Sequence, residues 1–213
     1  MVSFLPGHIP PAVWETQNDS SCKMLDRVRQ RFLRPNNKPQ LTCYIACPIL
    51  LAMNIQPITL TGRHVRLEPL SEAHVPDLAA VGLDPEIWRY MLYGDIDSEA
   101  KLLGFVRDLL ARQARGTDLP FAVVDQASGR AIGCTRYMDI RPHDRGLEIG
   151  GTWYGAAYRR TAVNTESKHL LLRHAFETLG CIRVQFKTDL RNEGSQRAIE
   201  RLGAVKEGIL RNT

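Results

Sequence analysis

Regular spacing of apolar and polar positions begins only near Met53. Ile58–Leu60 and Val65–Leu67 alternate around a Thr61-Gly62 turn signal, which predicts a first strand or hairpin. Ser71 caps a predicted helix running to Leu83, with His74, Leu78 and Val81 near one stripe. A short helix over Pro85–Met91 carries proline in its first turn. Ser98 opens a longer helix to about Ala114, whose inward positions are Leu102, Phe105, Val106 and Leu109. Phe121–Val124 and Ala131–Ile140 read as strands joined at Ser128-Gly129, and Gly146–Trp153 as the next. Thr165–Leu179 then reads as a helix ended by Gly180, and Ile182–Thr188 as a strand. Glu193–Leu202 is a predicted helix ended by Gly203, and Val205–Leu210 a last strand.

The first 52 residues hold six of the chain's 12 prolines and show neither period. They read as a poorly structured leader or a start-site extension, with Met53 as an alternative start, and are expected to be dispensable for the fold. Residues 53–213 read as the folded domain, a size that supports one sizeable core. The net charge of +5 is concentrated in the leader, which has six Lys/Arg against three Asp/Glu. No basic patch stands out elsewhere, so no nucleic-acid partner is expected; such a reading would rest on the leader alone. The most hydrophobic window, Leu41–Met53, has 13 residues. A membrane span needs about 20, so no membrane association is expected. Five cysteines without a CxxC pair argue against a disulfide framework. Cys134 and Cys181 read as buried thiols, which suits a reducing cytoplasm. His64, His74, His143, His169 and His174 show no ligand spacing with cysteine or carboxylate, and no metal is expected.

The chemistry gathers between Gly150 and Leu179. Arg159 and Arg160 precede a helix opening, where unpaired N–H groups and the positive dipole end favour an anion. Two guanidiniums there suit a phosphate-bearing ligand; an isolated arginine pair is also a common solvated surface. Gly150-Gly151 marks a bulge, a close backbone approach, or merely a local irregularity. Glu148 lies between Leu147 and Ile149 and faces opposite to both. Asn192 is a natural N-cap for the helix it precedes.

The order of elements resembles the Gcn5-related N-acetyltransferase (GNAT) family over about Thr59 to Thr213. The matching segments are LTGRHVRLEPL, IGCTRYMDI, LEIGGTW, NTESKHLLLRHAFE and NEGSQRAIERLGA, in that order. They are most like the branch that acetylates ribosomal proteins. The resemblance implies a mixed α+β (α/β) acyl-CoA N-acyltransferase fold, whose central twisted sheet opens in a V. Chains of this kind continue past GILRNT to a final strand between Ile182–Thr188 and Val205–Leu210; this sequence stops at Thr213, and that strand is expected to be missing. The strand edge at Ile182–Thr188 is therefore expected to be unpaired, which would favour a homodimer or aggregation.

The resemblance further implies an enzyme that transfers the acetyl group of acetyl-CoA to a primary amine, on a protein N-terminus or a small molecule. The family's pyrophosphate loop, Gln/Arg-x-x-Gly-x-Gly/Ala, falls on Arg159–Asn164. Arg159 matches, whereas Ala162 stands where glycine is usual and Asn164 where glycine or alanine is usual, so the loop must keep a negative φ at Ala162. Cofactor contacts are then expected at Ile149, Gly150, Gly151, Arg159, Arg160, Thr161, Ala162, Val163, Asn164, Thr165, Asn192 and Ser195. Glu148 is the candidate base or amine-orienting carboxylate, and Ser195 a group beside the sulfur, where relatives place a tyrosine acid. A backbone N–H near Ile149–Gly151 would serve the carbonyl oxygen. Trp88, Tyr93, Arg136 and Tyr137 are candidate acceptor contacts, although Trp88 and Tyr90 cannot share a helix face. The departures at Ala162, Asn164 and Ser195 leave a second reading open, a non-catalytic or degenerate acyl-CoA-binding protein.

Overall fold

A computed structural model describes residues 2–4 and 53–211 of the chain. The elements are β1 (Val2–Phe4), β2 (Leu60–Thr61), β3 (Val65–Pro69), α1 (Val75–Gly82), α2 (Pro85–Trp88) and α3 (Glu99–Ala114). After these come β4 (Leu119–Asp125), β5 (Ala131–Arg141), β6 (Gly146–Tyr154), α4 (Ala162–Arg173), β7 (Arg183–Phe186), α5 (Glu193–Glu200) and β8 (Val205–Lys206). The strands form one sheet in the order β2-β3-β4-β5-β6-β7-β1-β8. Every neighbouring pair is antiparallel except β6 and β7.

Alternation along the strands divides the core into two layers. Phe121, Val123, Tyr137, Leu147 and Ile149 pack on the face covered by α4 through Val163, Leu170 and Leu171. Ala122, Val124, Cys134 and Trp153 pack on the opposite face against Leu78, Leu102, Phe105, Val106 and Leu109. The inward stripe expected for α3 is therefore buried throughout. Cys134 and Cys181 are both buried free thiols, and burial pushes their pKa values up to about 12 and about 11. Met53 is buried in the α4-side layer; the rest of the Leu41–Met53 window lies outside the described residues. Among the described residues no helix is long and apolar enough to cross a membrane.

Three expectations change. α4 begins at Ala162 rather than Thr165, because the Thr161 side chain accepts from the Val163 N–H at 3.3 Å and caps the helix earlier. The predicted helix from Ser71 to Leu83 is split into a tight turn over Glu72–His74 followed by α1, with proline in the first turn of the latter. The third change concerns the sheet edge. β1 lies between β7 and β8, with Ser3 opposite Gln185 on one side and Val205 on the other. The edge of β7 expected to be open is thus paired, and the slot between β7 and β8 is filled from the other end of the sequence. Main-chain N–H and C=O groups accept any extended partner in register, so hydrophobic pattern alone does not reveal who fills such a slot.

Candidate active site

β6 is where the sheet opens. Its parallel pairing with β7 covers Gly146, Leu147 and Glu148 against Arg183, Val184 and Gln185 and then stops. The remainder of β6 continues beside β5 but, among the described residues, has no strand on its β7 side. On the β5 side the register runs Cys134 with Trp153 and then Arg136 with Gly150, so Gly151 and Thr152 together oppose Thr135. This is a bulge at Gly151-Thr152, one residue along from the Gly150-Gly151 pair at which the sequence admits a bulge. Gly151 has φ +55°, and a Cβ there would come within 2.8 Å of Arg136 Nη1. The strand thus turns away from β7 and leaves backbone groups facing the gap.

α4 follows β6 in the chain and reaches its bulged stretch through Lys168, which donates to Thr152. Thr161 caps α4, and Ala162, Val163 and Asn164 form its first turn. The positive φ that the glycine-poor loop requires falls on Arg160, at 61°, so Ala162 keeps a helical conformation. Arg160 is exposed, and Arg159 lies 3.7 Å from Asp84 Oδ2 and donates to the Tyr154 carbonyl at 3.4 Å. The first-turn N–H groups beside the capped one of Val163, flanked by two guanidiniums, are a donor set that fits a pyrophosphate, and the stretch of β6 beyond its pairing with β7 fits an amide-bearing arm.

Glu148 is 3% exposed and, as its strand position requires, faces away from α4. Its Oε2 is 2.9 Å from Lys187 Nζ and accepts from Gln185 Nε2 at 3.3 Å. Lys187 and Gln185 were invisible as site residues in sequence, although their alternation with the buried Val184 and Phe186 puts them on the Glu148 side. Asn192 caps α5, its Oδ1 accepting from the Ser195 N–H at 3.0 Å. Ser195 is therefore fixed by its main chain and half-buried.

The four candidate acceptor contacts separate. Tyr93 and Arg136 come together, Nη2 of the arginine donating to the tyrosine hydroxyl. Arg136 is 3% exposed, and its Nε meets Asp118 Oδ2 at 2.8 Å as charges rather than as an aligned hydrogen bond. Trp88 is core: its indole donates to the Gly82 carbonyl at 2.8 Å and its ring packs against Trp153 and Phe105. Tyr137 faces the opposite side of the sheet from Arg136, because adjacent strand residues alternate. Its hydroxyl donates to the Leu171 carbonyl at 2.6 Å, and its ring stacks on His174.

A further polar group lies under the bulge. Lys168 of α4 is 5% exposed and donates to Thr152 Oγ1 at 2.5 Å and Thr135 Oγ1 at 3.4 Å, with its ammonium 5.5 Å from the Phe186 ring centroid. Burial alone pulls its pKa down to about 7. The signal in the sequence was a lysine within the otherwise inward run Val163, Ser167, Leu170 and Leu171. Among the described residues no group of three or more His, Cys, Asp or Glu side chains is placed to hold a metal ion.

The family described as Acetyltransferase (GNAT) domain matches residues 64–205. The chain belongs to this family of acetyltransferases, whose acyl donor is generally acetyl-CoA. A T. thermophilus protein bearing an acetyltransferase designation is similar at 40% identity, covering 75% of this chain and 81% of its own, with a TM-score of 0.67. A GCN5-related N-acetyltransferase from Brucella melitensis is 29% identical over 69% of this chain and 67% of its own, with a TM-score of 0.63. The Salmonella typhimurium enzyme that modifies the N-terminal serine of ribosomal protein L7/L12 shares the fold, at 21% identity over 71% of this chain and 87% of its own, with a TM-score of 0.61. No curated protein sequence matches the chain.

Proposed function

We propose that the chain transfers the acetyl group of acetyl-CoA to a primary amine, carried by a protein N-terminus or a small molecule. The observation that carries this reading is a buried carboxylate, Glu148, at the last paired position before β6 and β7 separate. Acetyl-CoA supplies an activated acyl thioester. The first turn of α4 with Arg159 and Arg160 holds its pyrophosphate, the open edge at Ile149–Gly151 pairs with its amide arm, and Asn192 and Ser195 flank the arm from α5. Glu148 orients the acceptor amine and takes its proton, while Lys187 keeps the carboxylate engaged until the amine arrives. Tyr93 and Arg136 wall the acceptor side. The buried thiols suit a reducing compartment, and we place the enzyme in the cytoplasm. Calorimetric titration with acetyl-CoA, followed by amine-dependent release of free CoA, tests the proposal. A folded sample without saturable binding would refute it.

One observation favours a non-catalytic acyl-CoA-binding role: Glu148 is already paired with Lys187. Binding without amine-dependent CoA release, across a panel of amines, would establish that role. Turnover with any member of the panel would exclude it.

A further inference from the structure

Lys168, Thr135 and Thr152 form a small polar island between α4 and the sheet. A buried ammonium ordinarily has a carboxylate partner. Here the elements over it bring two hydroxyls and an aromatic face: Thr135 from β5, Thr152 from β6 and Phe186 from β7. The charged residues of those strands near this level, Arg136 and Glu148, face the opposite side, toward Asp118 and Lys187. Among the described residues no carboxylate lies within ion-pair distance of Lys168.

Counting hydrogens gives the island a direction. The ammonium has three donors, matched by two hydroxyl oxygens and the Phe186 ring. The two threonine hydroxyls are 2.8 Å apart, so one of them donates to the other. Thr135 is fully buried, and an unused hydroxyl hydrogen there would carry the full cost of desolvation. The favoured arrangement has Thr135 donating to Thr152. Thr152 Oγ1 then accepts twice and retains one hydrogen with no acceptor among the described residues. Thr152 is half-buried, one residue beyond Gly151, on the part of β6 that has left β7. A hydroxyl that accepts from a cation is polarised as a donor.

We propose that Thr152, polarised through Lys168, donates a hydrogen bond to a carbonyl oxygen of the acyl donor lying in the β6–β7 gap. Thr152 is the contacting residue and Lys168 a positioning residue acting through it. The assignment rests on the acyl-donor reading above. Deprotonation of Lys168 reverses the relay, because the free amine accepts from Thr152 and draws its hydrogen inward.

The test is calorimetric affinity for CoA and for acetyl-CoA, measured on the parent, Thr152→Val and Lys168→Met between pH 6.5 and 8.5. Thr152→Val should weaken binding about tenfold, a loss at the upper end of the range for a neutral hydrogen bond. Loss for acetyl-CoA alone would place the bond on the thioester carbonyl; equal loss for both ligands would place it on an amide carbonyl of the arm. Lys168→Met should weaken binding similarly and abolish the decline in parent affinity as pH rises through about 7. Should Lys168→Met fail to fold, the Thr152→Val result decides. Parent binding with Thr152→Val within twofold for both ligands overturns this assignment alone. No binding by the folded parent overturns the acyl-donor reading and this assignment with it.

Discussion

Gly62 and Glu166 are fitted to one another: a Cβ on Gly62 would stand 2.5 Å from the carboxyl carbon of Glu166. The space that glycine leaves lets the carboxylate accept three successive backbone N–H groups, from Arg63 and His64 at 2.7 Å and Val65 at 2.8 Å. Glu166 belongs to the second turn of α4, and the N–H groups that donate to it belong to the β2–β3 turn and the start of β3. One side chain therefore holds α4 against the edge of the sheet.

Glu166→Gln should cost about 1–2 kcal/mol, because an amide nitrogen would face main-chain donors that the partly exposed loop can only partly rehydrate. Gly62→Ala should cost a similar amount by displacing the carboxylate. Chemical denaturation measures both. The same variants should weaken acetyl-CoA binding less than Arg159→Ala does.

Arg159→Ala should weaken acetyl-CoA binding by about 1–3 kcal/mol, whereas Glu148→Gln should leave affinity within about twofold and lower turnover. A phosphate contact acts in the ground-state complex, and a proton acceptor acts in the reaction. Equal affinity of Arg159→Ala and parent, by calorimetry, would place the pyrophosphate elsewhere.

Lys168 should make stability depend on pH in an unusual direction. Its folded pKa of about 7 lies below the ordinary 10.5, so between those values the unfolded chain holds a proton that the folded chain has released. The Lys168 contribution to stability therefore rises from about pH 7 to pH 10.5, and below pH 7 the burial penalty of the cation is fully present. Lys168→Met should raise the melting temperature most at pH 6–7 and progressively less toward pH 10. Melting curves across that range, compared with the parent, measure it.

Arg136→Met should destabilise by about 3–5 kcal/mol, since it leaves Asp118 buried without its cation. Tyr93→Phe removes only the hydroxyl and should leave the melting temperature within a few degrees. If Tyr93 walls the acceptor, this variant should raise KM for the amine while leaving acetyl-CoA affinity unchanged.

Much of the fold was legible because periodicity reports burial directly. Leu102, Phe105, Val106 and Leu109 could be read as one buried face, and β4, β5 and β6 as strands, from spacing alone. The bulge at Gly151-Thr152 was legible to within a residue because Gly151 marks it. Tyr137 and Trp88 were harder. An aromatic side chain with a polar tip serves the core and the site equally well in sequence, and only the Leu171 and Gly82 carbonyls show which is meant. Lys187, Gln185 and Asp118 reach their places through tertiary pairing across strands, which no local pattern encodes. The strand at Val2–Phe4 was illegible for the same reason, since its partners are Val184–Phe186 and Val205–Lys206.

That pairing bears on how the sheet is assembled. Val2 opposes Lys206, so closing it joins positions separated by nearly the whole chain. Loop-closure entropy must be met before such a contact returns anything, whereas the β4–β5 and β5–β6 hairpins close locally. The hairpins should form early and the β7–β1–β8 seam last, leaving a folding intermediate with an uncovered strand edge. Ser3→Pro removes a main-chain donor in the middle of that seam. It should lower the melting temperature by several degrees and speed unfolding, with little change in the rate of refolding. Stopped-flow kinetics would detect the asymmetry, and an equal slowing of refolding would mean that the two ends of the chain meet at the outset.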